Sequence, residues 1–176
     1  MKWQTLKSSY PFKSKWLTVR KDHVRMPLGH EMDDFYVVES PDWVNVIAIT
    51  KDGQIVLERQ YRHGLQQICI EIPAGSVEPS ESALDAGKRE LLDETGYSGG
   101  EWIPFGNYAP NASGMNNLSH TFIANGVEKI GKPCLEISED IEVFLASKEE
   151  LKELLESEQI IEADLMAPLW RYLYRI

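Results

Sequence analysis

Cysteine is nearly absent from this 176-residue chain, which has only Cys69 and Cys134. Two residues so far apart fit neither a disulfide framework nor a Cys/His zinc spacing, so both are excluded as organising devices. Cys69, inside the apolar run "QICIEIP", reads as a small core residue rather than a nucleophile. Long apolar runs are missing too: no stretch approaches the ~20 residues that span a bilayer. The opening "MKWQTLKSSYPFKSKW" has lysines but not the apolar core of about 7–15 residues that marks a secretory signal. The expectation is a cytoplasmic protein with no membrane partner. Positive charge is in deficit, with 18 Lys and Arg against 28 Asp and Glu and a net charge of −10. Affinity for nucleic-acid phosphates rests on clustered cations that release counterions, so no nucleic-acid partner is expected. A small anionic substrate would need a few local cations, or a metal ion. Internal repeats and low-complexity linkers are also lacking.

What is present is the material of a globular fold. A hydrophobic content of 43% against 26% charged residues suffices for one core of ordinary size, with room for a small appendage. The first forty residues read as short strands, "KWLTVRKDHVRMP" and "DDFYVVES" around a "PLGHEM" turn, with Pro41 as a boundary. "WVNVIAIT" and "QIVLERQYR", separated by "KDG", form a hairpin pattern, because Asp-Gly between β-branched runs favours a tight turn. "CIEIP", "EWIPFGNYA", "LSHTFIA" and "IEVFLAS" are further strands. A helix is expected from an N-cap at Ser80 to Thr95, stopped by Gly96; a second follows Ser147 in "SKEELKELLESEQ". A third lies in "EADLMAPLWRYLYRI", where Pro168 predicts a kink or a late start. Strands interspersed with so few helices favour a mixed α/β or α+β sandwich over a doubly wound sheet.

The first helix carries an unusual charge pattern. Glu90 and Glu94 are four residues apart and Asp93 borders the same face, although like charges at this spacing repel. Hard oxygen ligands so placed suit Mg²⁺ or Mn²⁺, which take a few carboxylates and fill their shell with water and phosphate oxygens. A plain alternative is a solvated ladder in which Asp85, Arg89 and Asp93 pair at four-residue spacing and the glutamates are exposed.

The longer pattern decides between them. From Gly75, five residues precede Glu81, seven more precede Arg89-Glu90, and Leu91, Asp93-Glu94 and Gly96 follow. This resembles the Nudix box, G-x5-E-x7-R-E-U-x-E-E-x-G-U with U a bulky apolar residue. Two positions depart: Asp93 replaces the first glutamate of the final pair, and Tyr97 the last aliphatic residue. The resemblance implies an αβα sandwich around a mixed β-sheet, and a hydrolase that acts on a nucleoside diphosphate linked to another group. It implies Mg²⁺ or Mn²⁺ as cofactor, with Glu90, Glu94 and the backbone carbonyl of Ala74 as ligands. Glu81 would support or bridge a metal, Asp93 would retain charge with a shorter reach, and Arg89 would orient the carboxylates. Gly87, which costs about 1 kcal/mol in a helix relative to Ala, is expected to allow close packing on the sheet.

Beyond the box, "WLTVRKDHVRMPLG", "YVVESPDWVNVIAITKDGQIVLERQYR" and "CIEIPAG" are similar to the ADP-ribose pyrophosphatase branch. That implies an N-terminal antiparallel β subdomain over residues 1–41 that serves dimerisation, and a Nudix hydrolase domain over residues 42–176. It also implies a substrate-binding role for Arg62 and Glu71, with Arg59 as a further candidate. The general base of the branch, a glutamate on a late loop, maps onto Glu139, with Glu136 second, in "CLEISEDIEVF". In a homodimer of this kind the first strands, with Trp3, Trp16, Val19, Phe35, Tyr36 and Val37, would bury a face against a partner, and Trp3 or Trp43 would stack on the base. The loop "YAPNASGMNNLSHTFIA" departs from the branch: Asn111, Ser113, Gly114, Asn116 and Asn117 make an amide-rich turn. Such amides can bond sugar hydroxyls or simply build the turn. The expected substrate is ADP-ribose, with another nucleoside diphosphate sugar such as a GDP-hexose as the alternative. A nucleotide-sensing module without hydrolysis is a third reading, which the retained Glu90 and Glu94 oppose.

Overall fold

The computed structural model describes residues 1–15 and 17–174. The expectation for Trp16 therefore falls outside the described residues. Two compact units emerge: residues 1–41 with 109–118, and residues 42–108 with 119–174 of the described chain.

The first unit is an antiparallel sheet of β1 (Gln4–Lys13), β2 (Thr18–Arg25) and β3 (Glu31–Glu39), in the order β1-β2-β3. Strand β1 was not expected from its polar, Pro11-containing sequence. It is an edge strand, and its register shifts between Ser9 and Phe12, where Pro11 cannot donate to the ladder. Arg20 bonds Asp22 and Glu39 and ties β2 to β3. The 109–118 segment belongs to this unit: Val38 N–H donates to the Gly114 carbonyl at 2.8 Å and Ser40 N–H to Asn116 Oδ1 at 3.0 Å. Asn111 Oδ1 accepts from both the backbone and the hydroxyl of Ser113, closing a local turn.

The second unit is a mixed sheet covered on both faces. Its strands are β4 (Trp43–Thr50), β5 (Ile55–Arg62), β6 (Gln67–Glu71), β7 (Ala74–Ser76), β8 (Tyr97–Tyr108), β9 (Ser119–Lys129) and β10 (Ile141–Ala146). The main order is β10-β5-β4-β9-β8, with β6 paired to β5 and β7 to β4, and β4 parallel to β9. Period-2 alternation sends the central strands' side chains to two cores. Val44, Val46, Ala48 and Val56 join Ala86 and Leu91 of helix α1 (Ala83–Thr95). Ile47, Ile49, Ile55 and Leu57 join Leu151 and Leu155 of α2 (Lys148–Glu156) and Leu165 and Leu169 of α3 (Ala163–Leu173). The result is the expected αβα sandwich around a mixed sheet.

Two helix expectations are corrected. Helix α1 begins at Ala83, not after Ser80, because Ser82 is the N-cap and its hydroxyl accepts from Asp85 N–H at 3.1 Å. Ser80 lies upstream with φ of 83°, outside helical geometry. At the other end Gly96 takes φ of 75° and its N–H caps Leu92, and a Cβ there would lie 2.3 Å from the Gly131 carbonyl oxygen. Helix α3 does not start late: Pro168 lies inside it. Proline has no N–H for the carbonyl four residues back, and that carbonyl, of Asp164, accepts from Asn45 Nδ2 at 3.1 Å. The buried Asn45 amide thus uses the bond that Pro168 leaves open. Ser147 caps α2 with a reciprocal bond from its N–H to Glu150, as a capping box requires.

Candidate active site

The acidic residues of α1 lie on its buried side. Ala86, Gly87, Glu90, Leu91, Glu94 and Thr95 form one buried stripe, and Glu90 and Glu94 are only 9% and 5% exposed. The ladder alternative is therefore corrected: the glutamates are not solvated, and Arg89 bonds Glu81 and Glu90 rather than Asp85 and Asp93. Gly87 permits the approach, since a Cβ there would meet Val44 and Val46 side-chain carbons at 3.1 and 3.4 Å.

Arg89 organises the loop before the helix. Its Nη2 donates to Glu81 Oε1 at 2.7 Å and to the Ser76 carbonyl at 3.1 Å, and its Nη1 donates to Glu90 Oε1 at 2.7 Å. These bonds hold the guanidinium pKa above its ordinary value, Glu81 contributing most, and lower that of Glu81 in turn. Strand β7 brings the backbone close: Ala74 N–H donates to Glu94 Oε2 at 3.0 Å. At Gly75 a Cβ would fall 2.0 Å from Glu90 Oε1, so the carboxylate rests against the glycine backbone.

A cleft of about 380 Å³ opens over this arrangement. Its floor holds Ala74, Gly75, Arg89, Glu90, Asp93 and Glu94; β5 contributes Gln60 and Arg62, β4 contributes Trp43, and the late loop contributes Cys134, Glu136, Ser138 and Glu139. That late loop closes on itself, with Glu139 N–H bonding the Glu136 carbonyl and Glu136 N–H bonding Glu139 Oε2 at 2.8 Å. It is also tied to α1, since Cys134 N–H donates to the Asp93 carbonyl at 2.7 Å.

Most residues singled out in the sequence converge here, but three stand apart. Glu71 is not in the cleft wall. It is 2% exposed and takes two bonds from Arg62, Nε to Oε1 at 2.8 Å and Nη2 to Oε2 at 2.5 Å. Those bonds raise the Arg62 pKa and fix the guanidinium as a fork. Glu81 reaches the site through Arg89. Arg59 is not brought to the cleft: its guanidinium sits 3.9 Å from the Phe144 ring centre and 3.4 Å from Glu142. The reason is strand parity, since Arg59 points away from the face that carries Gln60 and Arg62.

Glu58 was missed by the sequence reading. It is 2% exposed, its Oε1 has no hydrogen-bond partner, and it is paired in register with Glu71. Burial first, then the Glu71 charge, push its pKa up to about 8; burial and then the Glu58 charge push Glu94 up to about 10. Burial also raises Glu90. The available signal was a charged residue interrupting the apolar run "IVLER", on the same parity as Gln60 and Arg62.

These features fit a hard divalent cation. The donors are oxygens, the carboxylates are buried, and the Ala74-Gly75 backbone lies against them. Among the described residues no three His, Cys, Asp or Glu side chains stand together as a complete ligand set.

Comparison with known proteins gives the same grouping. Residues 3–38 match the family model of the nucleoside diphosphate sugar hydrolase N-terminal domain, and residues 40–167 match that of the NUDIX domain. The chain is 27% identical over 161 residues to an ADP-ribose pyrophosphatase of Bacillus subtilis (strain 168), covering 91% of this chain and 86% of that one. It is 33% identical over 128 residues to a methanol dehydrogenase activator of Bacillus methanolicus, covering 72% and 68% respectively. The crystal structure of an ADP compounds hydrolase superposes with a TM-score of 0.85 at 20% identity, over 99% of this chain and 93% of the other, a likeness of fold.

Proposed function

This chain belongs to the Nudix family, in its ADP-ribose pyrophosphatase branch, and from that premise we propose that it hydrolyses ADP-ribose to AMP and ribose 5-phosphate with a divalent cation. The observation that carries the reading is the pair of buried glutamates, Glu90 and Glu94, held against the Ala74-Gly75 backbone at the floor of a cleft that also presents Arg62.

In this reading Glu90, Glu94 and the Ala74 carbonyl would hold Mg²⁺ or Mn²⁺, with Asp93 as a further acidic group. Such a cation would supply charge neutralisation for pyrophosphate oxygens and a lowered pKa for an attacking water. Arg89 is a positioning residue: by pairing with both Glu81 and Glu90 it fixes the carboxylate's direction. Arg62 commits Nε and Nη2 to Glu71, so its Nη1 is the donor directed to a phosphate oxygen. Glu139, on the late loop, takes the proton from water, with Glu136 as the alternative base. Trp43 supplies an aromatic face for the nucleoside or sugar.

The case for a GDP-hexose rested on the amide-rich loop. Asn111 and Asn116 use their side-chain oxygens to bond Ser113 and Ser40, so these acceptors serve the loop's own structure, whereas the buried Asn117 amide has no hydrogen-bond partner; ADP-ribose is preferred on the resemblance to the ADP-ribose pyrophosphatase of Bacillus subtilis. We also assign residues 1–41 to dimerisation. Trp3, Tyr10, Phe12 and Tyr36 are exposed on this small sheet, which is the apolar area that a second copy would cover. The absence of any helix among the described residues long and apolar enough to cross a membrane is compatible with a cytoplasmic site of action.

The test is to incubate purified protein with ADP-ribose and with GDP-mannose, in Mg²⁺ and in excess EDTA, and to resolve products chromatographically. AMP formed from ADP-ribose only with metal is expected. Full turnover in EDTA refutes the mechanism, and no turnover of either compound favours a sensing module.

A further inference from the structure

Strand β5 carries a buried carboxylate that takes no part in the arrangement of Glu90, Glu94 and Arg89. Glu58 is 2% exposed and its Oε1 meets no donor. Leaving such an atom unpaired is costly, and an apolar side chain would continue the run of Ile55, Val56 and Leu57 at no such penalty. Its direction follows from alternation. Val56 packs in the α1-side core, so Glu58 faces the same side, as do Gln60 and Arg62, which line the cleft.

The neighbouring cations are already committed. Arg62 is bonded twice to Glu71, and Arg89 is bonded to Glu81, Glu90 and the Ser76 carbonyl. Glu94 accepts one backbone N–H, from Ala74, and of all the charges that act on Glu94, that of Glu58 is the strongest. Two carboxylates, one from β5 and one from α1, are thus both buried on the α1 side of the sheet, and among the described residues neither is paired with a guanidinium. A divalent cation is the charge that satisfies both.

We propose that Glu58 is a further carboxylate of the cation site, supplying from strand β5, outside the sequence box, an oxygen that acts together with Glu94. The inference rests on the reading of Glu90 and Glu94 as cation-holding residues.

The experiment uses the full chain without substrate. Mn²⁺ binding is followed by electron paramagnetic resonance, and thermal unfolding is followed in EDTA and in Mn²⁺, for wild type, Glu58→Gln, Glu58→Val and Glu94→Gln. Both Glu58 variants should bind Mn²⁺ at least about tenfold more weakly, the scale on which even supporting groups around a metal act. Both should show a reduced rise in melting temperature on adding Mn²⁺. Glu58→Val should melt higher than wild type in EDTA at pH 8, which shows that the variant folds and that the lost affinity is not lost structure. Wild-type Mn²⁺ affinity in both Glu58 variants alongside weakened binding in Glu94→Gln removes Glu58 from the site and leaves the site standing. Wild-type affinity in all three removes the cation site itself.

Discussion

Gly75→Ala isolates the geometry of the site from its chemistry. The added methyl carbon would fall 2.0 Å from Glu90 Oε1, 2.2 Å from its Cδ and 2.8 Å from Oε2. Ordinary contact begins near 3.4 Å, so the carboxylate must move by about 1.4 Å. The cost in stability is moderate. Gly75 does not have the positive φ that would strain an alanine, and the substitution stiffens the unfolded chain in favour of folding by about 0.4–1 kcal/mol. Against this stands the Arg89–Glu90 pair, in which the arginine side chain is 32% and the glutamate side chain 12% exposed; moving a mostly buried carboxylate off its partner costs about 1–3 kcal/mol. Net stability should fall by no more than about 2–3 kcal/mol. A displacement of about 1 Å in a positioned group can lower turnover by about 100-fold. The expected outcome is therefore a variant that folds with a melting temperature lowered by several degrees at most, and with kcat/KM for ADP-ribose lowered about 100-fold or more. An alanine variant with wild-type kcat/KM would show that Glu90 does not work from the position seen here, and one that fails to fold would show that the glycine serves the fold instead.

Stability without metal should fall as pH rises. Glu58 and Glu94 have folded pKa values of about 8 and about 10 against an ordinary 4.5. The folded state therefore binds more protons than the unfolded one; the stabilisation is complete below 4.5 and is lost as pH passes through 8 towards 10. Urea unfolding in EDTA should show a loss of a few kcal/mol between pH 6 and 9, at about 1.4 kcal/mol per unit, and a flat profile would contradict the buried acidic pair. Glu139→Gln should lower kcat by about 10²–10⁴-fold with KM nearly constant. If Glu136→Gln is the inactive variant, the base is Glu136; if both turn over normally, the late loop holds no base. Light scattering after size exclusion should give twice the chain mass at micromolar concentration, and a fully active monomer would remove the dimer.

The box was legible in the sequence because its geometry is local. One turn, one N-terminal loop and one helix of 13 residues set the spacing from Gly75 to Gly96, and helical periodicity alone puts Glu90 and Glu94 on one face. The hairpin at "KDG" and the Ser147 cap were readable for the same reason: each depends on residues within a few positions of one another. Strand β1 was not, because a polar segment with an internal proline has little strand signal and is held in place by pairing with β2. The cap at Ser82 rather than Ser80 turned on which of two equivalent hydroxyls the chain's entry angle favours, and the left-handed φ of Ser80 decided it.

What only the tertiary structure decided is which faces meet. Alternation along β5 separates Arg59 from Glu58, Gln60 and Arg62 in any reading, but a period of two is silent about which face is covered by α1 and which by α2 and α3. That choice put Arg62 into the cleft, sent Arg59 to the Phe144 ring, and buried Glu58 on the same side of the sheet as α1. It also paired Asn45 with the carbonyl that Pro168 leaves open, 119 positions away in sequence. Local chemistry determines where a helix or turn begins; burial of a carboxylate, and with it the charge that must come to meet it, exists only after distant strands and helices have packed.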